Sequence, residues 1–376
     1  MKNYIFCAIL NPIKQKGGSY MSRDMGAIDK NLKVETILKE TDIIFYDARK
    51  APFRIYGLID PSLVPFRRLP VELADNVNYQ VSILSTNTSG ARVRFRTDSE
   101  YVAIKAVMPT ITHFPHMPLT GSTGFDLYLC KNGVQTYFKT FVPPIGIIDG
   151  FESVLHFGSS EERDIIINFP LYNDLSELYI GLQDGSTLSE GSEYRYQKPI
   201  LYYGSSITQG GCASRPGNCY QSIISRRLDT DFLNFGYSSG GCGEENMMDY
   251  LAQQDISAFV MDYDYNSYSQ DHLAQSHPRA LQIIRKHKPE LPVIMITKPD
   301  IRMDNEDDIK RRDIIFSTYA NALAAGDRNV YFIDGYSLFG GEGWDSCTVD
   351  GAHPNDLGFW RMADVIGSTL SRILIK

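Results

Sequence analysis

The amino-acid sequence predicts an α/β domain of flavodoxin-like type, with a parallel sheet, behind an N-terminal β-sandwich of jelly-roll type. Residues 30–184 consist of short runs rich in Val, Ile, Phe and Tyr, separated by polar turns, with hardly any helical pattern. Residues 199–376 instead alternate strand-like runs with helical patterns. The segment between them, 185–198, is polar and lacks periodicity, so we expect a linker there. A chain of 376 residues is long enough for two such domains.

Residues 1–29 are expected to form a mobile leader. Their apolar stretch is interrupted at Asn11-Pro12 and is not followed by a cleavage site of small residues, which argues against a signal peptide. The true start codon is left open, with Met21 as one candidate.

Nine strands are expected in the N-terminal half. They fall at 42–46, 53–58, 79–84, 91–96, 101–108, 124–130, 134–141, 164–169 and 177–182. Asn132-Gly133 lies between two of these runs and is a strong short-range signal for a hairpin. Many short strands with polar turns favour a sandwich or a jelly roll.

Five strand–helix units are expected in the C-terminal half. The strands fall at 200–203, 232–236, 258–262, 292–296 and 330–334, and the helices at 220–228, 244–253, 274–287, 306–325 and 356–374. Consecutive units of this kind predict a parallel sheet with helices on both faces.

Composition excludes several classes of function. The chain is 43% hydrophobic and 22% charged, as in globular proteins, and its net charge of -8 argues against a nucleic-acid or anionic-membrane partner. Six cysteines are scattered without a CxxC pair, so we expect reduced thiols and a cytoplasmic location, with local pairing of Cys212 and Cys219 as the alternative. No apolar run reaches the length of a membrane span.

A candidate nucleophile follows the first strand of the C-terminal half. The pentapeptide Gly204-Ser205-Ser206-Ile207-Thr208 closes the apolar run 199–203, and ligands bind at the carboxyl edge of open α/β sheets. Ser206 is the predicted nucleophile, with Ser205 as its nearest competitor. By itself this pentapeptide could be an ordinary turn, because Gly and Ser are common loop residues.

A serine nucleophile needs a base, and Asp350-Gly351-Ala352-His353 offers one about 150 residues later. The spacing places carboxylate and imidazole on one turn, so Asp350 can orient His353 towards Ser206. The alternative interpretation is an aspartate that caps the last helix. The other histidines are interpreted as solvent-facing (His272, His277, His287) or as loop residues (His113, His116, His156).

Two further strand ends could supply donors for an oxyanion. Residues 234–241 end in Ser238-Ser239-Gly240-Gly241, whose small side chains allow backbone N–H groups to approach a ligand. After the next strand, the side-chain amide of Asn266 can also donate a hydrogen bond.

This order of motifs resembles the SGNH (GDSL-type) hydrolase superfamily across residues 199–376. The resemblance implies that Ser206 is the nucleophile, that His353 is the general base and that Asp350 orients it. It also implies that oxyanion donors come from the block at Ser239 and Gly240 and from Asn266. Departures are Ser205 where the commonest pattern has Asp, Ser239 where the oxyanion glycine is expected, and a third block that keeps only the Asn.

The N-terminal half carries a second resemblance. Gly124-Phe125-Asp126-Leu127-Tyr128 is similar to the Gly-x-Asp-Leu-Tyr signature of a β-domain found ahead of one SGNH subgroup, and residues 67–70 and 115–117 fit the same pattern. Proteins of this two-domain build resemble bacterial esterases, several of which deacetylate carbohydrates.

The sequence therefore predicts a serine esterase for small acyl esters, and the favoured substrates are acetyl esters of saccharides. We expect neither a cofactor nor a metal, because H-E-x-x-H, paired Cys/His spacings, a Walker lysine and G-x-G-x-x-G are all missing from the sequence. The expected partner is a small-molecule or oligosaccharide ester, and a homo-oligomer is left open. The alternatives are a lipase or thioesterase of the same superfamily and a carbohydrate-binding protein without activity.

Overall fold

Two antiparallel sheets form the N-terminal half of the computed structural model, which describes residues 34, 37–300, 302 and 304–374. The predicted leader, 1–29, lies outside these residues. The first sheet has the order β1 (Ile43–Asp47), β9 (Glu177–Gln183), β4 (Tyr101–Val107), β7 (Gly150–His156). The second has the order β10 (Leu188–Ser189), β3 (Arg92–Thr97), β8 (Arg163–Asn168), β5 (Phe125–Lys131), β6 (Val134–Phe141), with β2 (Arg54–Tyr56) beside β3.

The two sheets share one apolar core. Val93 and Ile165 of one sheet and Ile104 and Ile180 of the other are fully buried in the same cluster. Alternate residues of each strand therefore face the opposite sheet, as in a sandwich. The predicted β-sandwich is confirmed.

Three local expectations in this half are wrong. Residues 79–84 form a helix, α2 (Tyr79–Leu84), directly after α1 (Val71–Val77). The alternation of apolar residues was typical of a strand, but the Asn78 side chain caps the helix at the Val81 N–H, and Val81 packs into the core of the C-terminal half. Strand β7 was not predicted, so His156 ends a strand instead of lying in a loop. Residues 188–189 of the expected linker form β10, which pairs with β3.

The C-terminal half is built on a five-stranded parallel sheet. Its order is β12 (Thr230–Gly236), β11 (Tyr196–Gly204), β13 (Ala258–Asp262), β14 (Val293–Ile296), β15 (Val330–Ile333). This is the 2-1-3-4-5 order of flavodoxin-like sheets. The predicted flavodoxin-like α/β domain is confirmed.

Helices cover both faces of this sheet. Besides the short α3 (Leu119–Ser122) of the N-terminal half, they are α4 (Ser206–Gln209), α5 (Tyr220–Leu228), α6 (Glu245–Ala252), α7 (Gln270–His287), α8 (Glu306–Ala324) and α9 (Asp356–Leu374). One core joins α5 and α9 to the sheet, and another joins α6, α7 and α8. No helix among the described residues is apolar over the length that a bilayer requires.

His277 was expected to face solvent, and this is wrong. Its side chain lies on the inner face of α7, is 2% exposed and stacks on Tyr263 with ring centroids 5.6 Å apart. Burial lowers the pKa of His277 to about 3, so the ring is neutral.

The two halves pack into one unit, 36–376, through the Gly-x-Asp-Leu-Tyr segment. The Asp126 carboxylate is fully buried and accepts hydrogen bonds from Asn168 (2.8 Å), Arg215 (2.8 Å) and the Gly217 N–H (2.8 Å). Arg215 also donates to the Tyr128 hydroxyl. A Cβ on Gly217 would lie 2.6 Å from the Asp126 carboxylate, so the close approach requires glycine. Losing one partner of a buried ion pair costs about 3–5 kcal/mol.

A second link between the halves ends at the edge of the parallel sheet. Arg68 is 1% exposed and donates to the carbonyls of Asn234 (3.2 Å) and Gly236 (2.6 Å) at the end of β12. Its guanidinium lies 4.2 Å from the centre of the Tyr237 ring. The N-terminal half therefore covers the carboxyl edge of the sheet, where the predicted site residues lie.

Candidate active site

The turn after β11 separates the roles of its two serines. Ser205 is 1% exposed and its hydroxyl accepts a hydrogen bond from the Ile207 N–H (3.2 Å), so it caps α4. Ser206 begins α4, and its Oγ lies 2.9 Å from Nε2 of His353. The geometry places Ser206, and not Ser205, beside the imidazole.

Glycine at position 204 is required by the same turn. A Cβ there would lie 2.0 Å from the Asp262 carbonyl oxygen and 2.3 Å from Oγ1 of Thr208. Both contacts are far inside van der Waals distance, so a side chain would push β11 away from β13.

The loop before α9 joins Asp350 to His353. Nδ1 of His353 lies 2.7 Å from Oδ2 of Asp350, and Oδ1 of Asp350 accepts the N–H groups of Ala352 (3.0 Å) and His353 (2.8 Å). Burial opposes the charge, but these hydrogen bonds outweigh it and lower the pKa of Asp350 to about 2. The carboxylate is therefore ionised at neutral pH and holds the imidazole in one orientation.

Asn355, and not Asp350, caps the last helix. Oδ1 of Asn355 accepts the N–H groups of Leu357 (3.0 Å) and Gly358 (3.1 Å) in the first turn of α9. Asp350 lies outside that turn, so its carboxylate is left to His353.

The predicted oxyanion block is a tight turn after β12. Gly240 donates its N–H to the Tyr237 carbonyl (3.0 Å), whereas the Ser239 N–H has no acceptor among the described residues. Ser239 adopts a left-handed conformation (φ 56°), which is uncommon for a residue with a side chain. Of the two predicted residues, Ser239 keeps a free backbone donor and Gly240 does not.

Asn266 was predicted as a direct oxyanion donor, and the structure places it behind that turn instead. Its Nδ2 donates to the carbonyls of Tyr237 (2.8 Å) and Gly241 (2.9 Å). Both amide protons are used, because an Asn side chain has only two. Asn266 therefore stabilises the conformation of the turn that contains Ser239.

The N-terminal half supplies contacts that sequence reasoning missed. The Tyr172 hydroxyl donates to the Ser206 carbonyl (2.9 Å), and Nδ2 of Asn78 donates to the Gly240 carbonyl (2.8 Å). The ring centroids of His116 and His353 are 5.5 Å apart. His116 lies in a loop, as interpreted, and of the two histidines that bracket Phe114-Pro115 it is the one whose ring contacts the proposed triad.

His116 also belongs to a group of side chains with metal-ligand chemistry. Among the described residues, one ligand atom each of His116, Asp350 and His353 lie within 4.8 Å of one another. Both nitrogens of His353 already face partners, Ser206 and Asp350. A metal would have to break one of those contacts, so we assign none.

A buried carboxyl group lies under the nucleophile turn. Asp262, 4% exposed at the end of β13, accepts hydrogen bonds from Thr208 (2.9 Å) and the Tyr220 hydroxyl (2.8 Å). Burial outweighs these bonds and raises the pKa of Asp262 to about 7. The group ties β13 to the turn but faces neither Ser206 nor His353 in any hydrogen bond of the described residues.

The fold and site define a two-domain hydrolase of SGNH type. Residues 197–371 match the GDSL-like lipase/acylhydrolase family, and residues 43–188 match the GxDLY family, the N-terminus of esterases of SGNH-hydrolase type. The resemblance found in the motifs is confirmed. These two matches support an esterase, in the broad sense of a hydrolase of acyl esters.

Solved structures share this two-domain build. A candidate GDSL-like lipase from Bacteroides ovatus ATCC 8483 is 28% identical, with a TM-score of 0.80 over 89% of this chain and 98% of that one. The salicylyl-acyltransferase SsfX3 from a tetracycline biosynthetic pathway is 16% identical (TM-score 0.70, coverage 89% and 99%). The acetyl xylan esterase Est2A from the rumen bacterium Butyrivibrio proteoclasticus is 13% identical (TM-score 0.53, coverage 88% and 98%). The last two establish the fold only. No curated protein matches the chain.

Asn266→Ala is expected to lower kcat on acyl esters by about 10²-fold, because the turn that contains Ser239 loses both hydrogen bonds from this side chain and shifts a donor out of position. Steady-state kinetics with wild type and variant measure this. Asn321→Ala, at an exposed position of α8, is the control. An effect confined to KM would contradict the supporting role and make Asn266 a substrate-binding residue.

Folding stability is expected to fall as the pH rises from about 4 to about 7 because of Asp262. Its native pKa of about 7 lies above the ordinary carboxyl value of 3.8, so in this window the native state holds a proton that the unfolded chain has released. The loss is up to about 1.4 kcal/mol per pH unit.

Urea unfolding of Asp262→Asn at several pH values tests this, since the variant should show a flatter dependence than wild type. Asp149→Asn, at an exposed position, is the matched control. An unchanged pH dependence in Asp262→Asn would show that the carboxyl group does not titrate in this range.

Proposed function

We propose that this protein is a serine esterase that removes small acyl groups from saccharides and prefers acetyl groups. The observation that carries the proposal is the continuous chain from Ser206 Oγ to His353 Nε2 (2.9 Å) and from His353 Nδ1 to Asp350 (2.7 Å). Nucleophile, base and orienting carboxylate in this order define a catalytic triad.

The reaction follows from the chemistry of these groups. Oγ of Ser206 forms a bond to the ester carbonyl carbon while Nε2 of His353 takes the hydroxyl proton. The carbon–oxygen bond to the alcohol then breaks, and the alcohol leaves with that proton. Water attacks the acyl-enzyme, gives a proton to His353, and the acid departs as Ser206 regains its proton. Asp350 stays ionised throughout and stabilises the imidazolium.

The negative charge on the carbonyl oxygen needs donors opposite His353. The N–H of Ser206 stands at the first position of α4, where no helical partner exists. The free N–H of Ser239 is the second donor, and Asn266 holds its turn in place. Two backbone donors fixed before the substrate arrives are worth several kcal/mol in the transition state.

Two observations support a saccharide as the alcohol. Carbohydrate esterases of family 2 from Clostridium thermocellum and the acetyl xylan esterase Est2A share the fold. At the same carboxyl edge of the sheet, Trp344, Tyr336 and Asp300 line a separate pocket of about 330 Å³, whose lining does not include Ser206 or His353. Aromatic faces and carboxylates are groups that bind sugar rings and hydroxyls.

We also propose a partner and a location for the protein. The partner is a small-molecule or oligosaccharide ester, taken without a cofactor. The five cysteines in the described part of the chain are free thiols, including Cys212 and Cys219, which is in keeping with a cytoplasmic protein.

Ser206→Ala is expected to lower turnover of p-nitrophenyl acetate by about 10⁴-fold or more, because the nucleophile is lost while the fold is kept. Ser205→Ala is the matched control: it loses a helix cap, about 1 kcal/mol, and keeps its activity. Activity retained in Ser206→Ala but lost in Ser205→Ala would move the nucleophile to Ser205. Saccharide binding without turnover by the wild type would instead favour a binding protein.

An acyl-length series is expected to show kcat/KM highest for acetate and falling through butyrate to octanoate. The p-nitrophenyl esters share one leaving group, so the series isolates the acyl side. A maximum at long chains would make the protein a lipase, and preferential cleavage of matched acyl thioesters would make it a thioesterase.

A further inference from the structure

The loop 112–117 of the N-terminal half is held firmly against the active site. At its start, the N–H of Thr112 donates to Oδ1 of Asn173 (2.7 Å), and Nδ2 of Asn173 donates back to the Thr112 carbonyl (3.3 Å). Asn173 is 2% exposed, and Met117 at the other end is 6% exposed. Between them the Phe114 ring packs on Tyr172, the residue that bonds the Ser206 carbonyl, with centroids 5.2 Å apart.

This loop places an imidazole with unused hydrogen-bonding capacity beside the proposed base. The His116 and His353 rings lie 5.5 Å apart at an angle of 51°. The Phe114 ring packs against His116 with centroids 6.4 Å apart. No described residue forms a hydrogen bond or an ion pair with His116, although a neutral imidazole has one donor and one acceptor. Such a group, packed on the proposed base, is free to bind substrate.

The reaction determines which part of the substrate lies there. His353 passes its proton from Nε2 to the leaving alcohol, so the alcohol oxygen must come within about 2.6–3.2 Å of that nitrogen. The carbonyl oxygen lies instead at the N–H groups of Ser206 and Ser239. The leaving alcohol therefore lies against His353, the ring on which His116 packs.

We propose that His116 binds the alcohol part of the ester through a hydroxyl next to the acylated oxygen, so that the N-terminal half sets specificity for polyol and saccharide esters. This role of His116 rests on the proposed esterase function and adds to it the residue that recognises the alcohol part of the ester. A vicinal hydroxyl can donate to the acceptor nitrogen of a neutral His116 or accept from its N–H, so either tautomer can form one hydrogen bond with it.

A pair of acetates that differ by one hydroxyl tests this: 2-hydroxyethyl acetate and ethyl acetate. Both give the same acetyl-enzyme, so a difference between them arises before the alcohol leaves. His116→Phe keeps a ring against Phe114 and His353 but removes the hydrogen bonds. The ratio of kcat/KM for 2-hydroxyethyl acetate to that for ethyl acetate should fall about 3- to 10-fold, the effect of one neutral hydrogen bond.

Two variants complete the design. His116→Gln, which retains a donor and an acceptor, should recover most of the ratio. His113→Phe changes the other exposed histidine of the loop, which contacts none of the proposed triad, and should leave the ratio at the wild-type value. All assays contain EDTA, so that a metal ion at His116, Asp350 and His353 cannot cause the difference. Thermal unfolding of each variant shows whether the loop still packs.

The results that contradict the role of His116 differ from those that contradict the esterase function. A wild-type ratio in His116→Phe, an equal loss on both esters, or the same fall in His113→Phe would overturn the role of His116 while leaving the esterase intact. Absence of turnover on both esters and on p-nitrophenyl acetate in the wild type would overturn the proposed function itself.

Discussion

The buried carboxylate of Asp126 is the contact on which the arrangement of the two halves depends. It lies in the β-sandwich, yet two of its three hydrogen-bond donors, Arg215 and the Gly217 N–H, come from the α/β half. A buried charge tolerates few alternative positions, because each lost partner leaves it without solvation. The ion pair therefore fixes one orientation of the sandwich on the edge of the parallel sheet.

The active site follows from that orientation. With the sandwich seated on the carboxyl edge, Arg68 satisfies the carbonyls at the end of β12, and Asn78 bonds the turn that presents the Ser239 N–H. Tyr172 bonds the Ser206 carbonyl, and His116 lies beside His353. The sandwich thus forms part of the wall of the candidate site, and its residues contact the turn of Ser206, the turn of Ser239 and the ring of His353.

The structure also changes the role predicted for Asn266 and the exposure predicted for His277. Asn266 was chosen for an amide that can donate, and it does donate, but to the carbonyls of Tyr237 and Gly241. Sequence gives the chemistry of a side chain, whereas its partner depends on which strand end lies opposite. His277 differs in the same way: its polar helical surroundings suggested solvent, and packing of α7 on the sheet buries it.

The sequence by itself determined the class of both halves and the order of the strand–helix units, because these depend on local patterns. It also predicted Ser206, Asp350 and His353 as one group, and these three side chains lie within hydrogen-bond distance of one another in series. It also predicted the residue numbers of most elements to within a few positions. The tertiary structure alone decided that 79–84 is a helix, since Val81 packs into the other half, and that Ser205 is a cap. It alone brought His116 to His353, 237 positions later in the chain, because contacts between distant segments depend on how the halves pack.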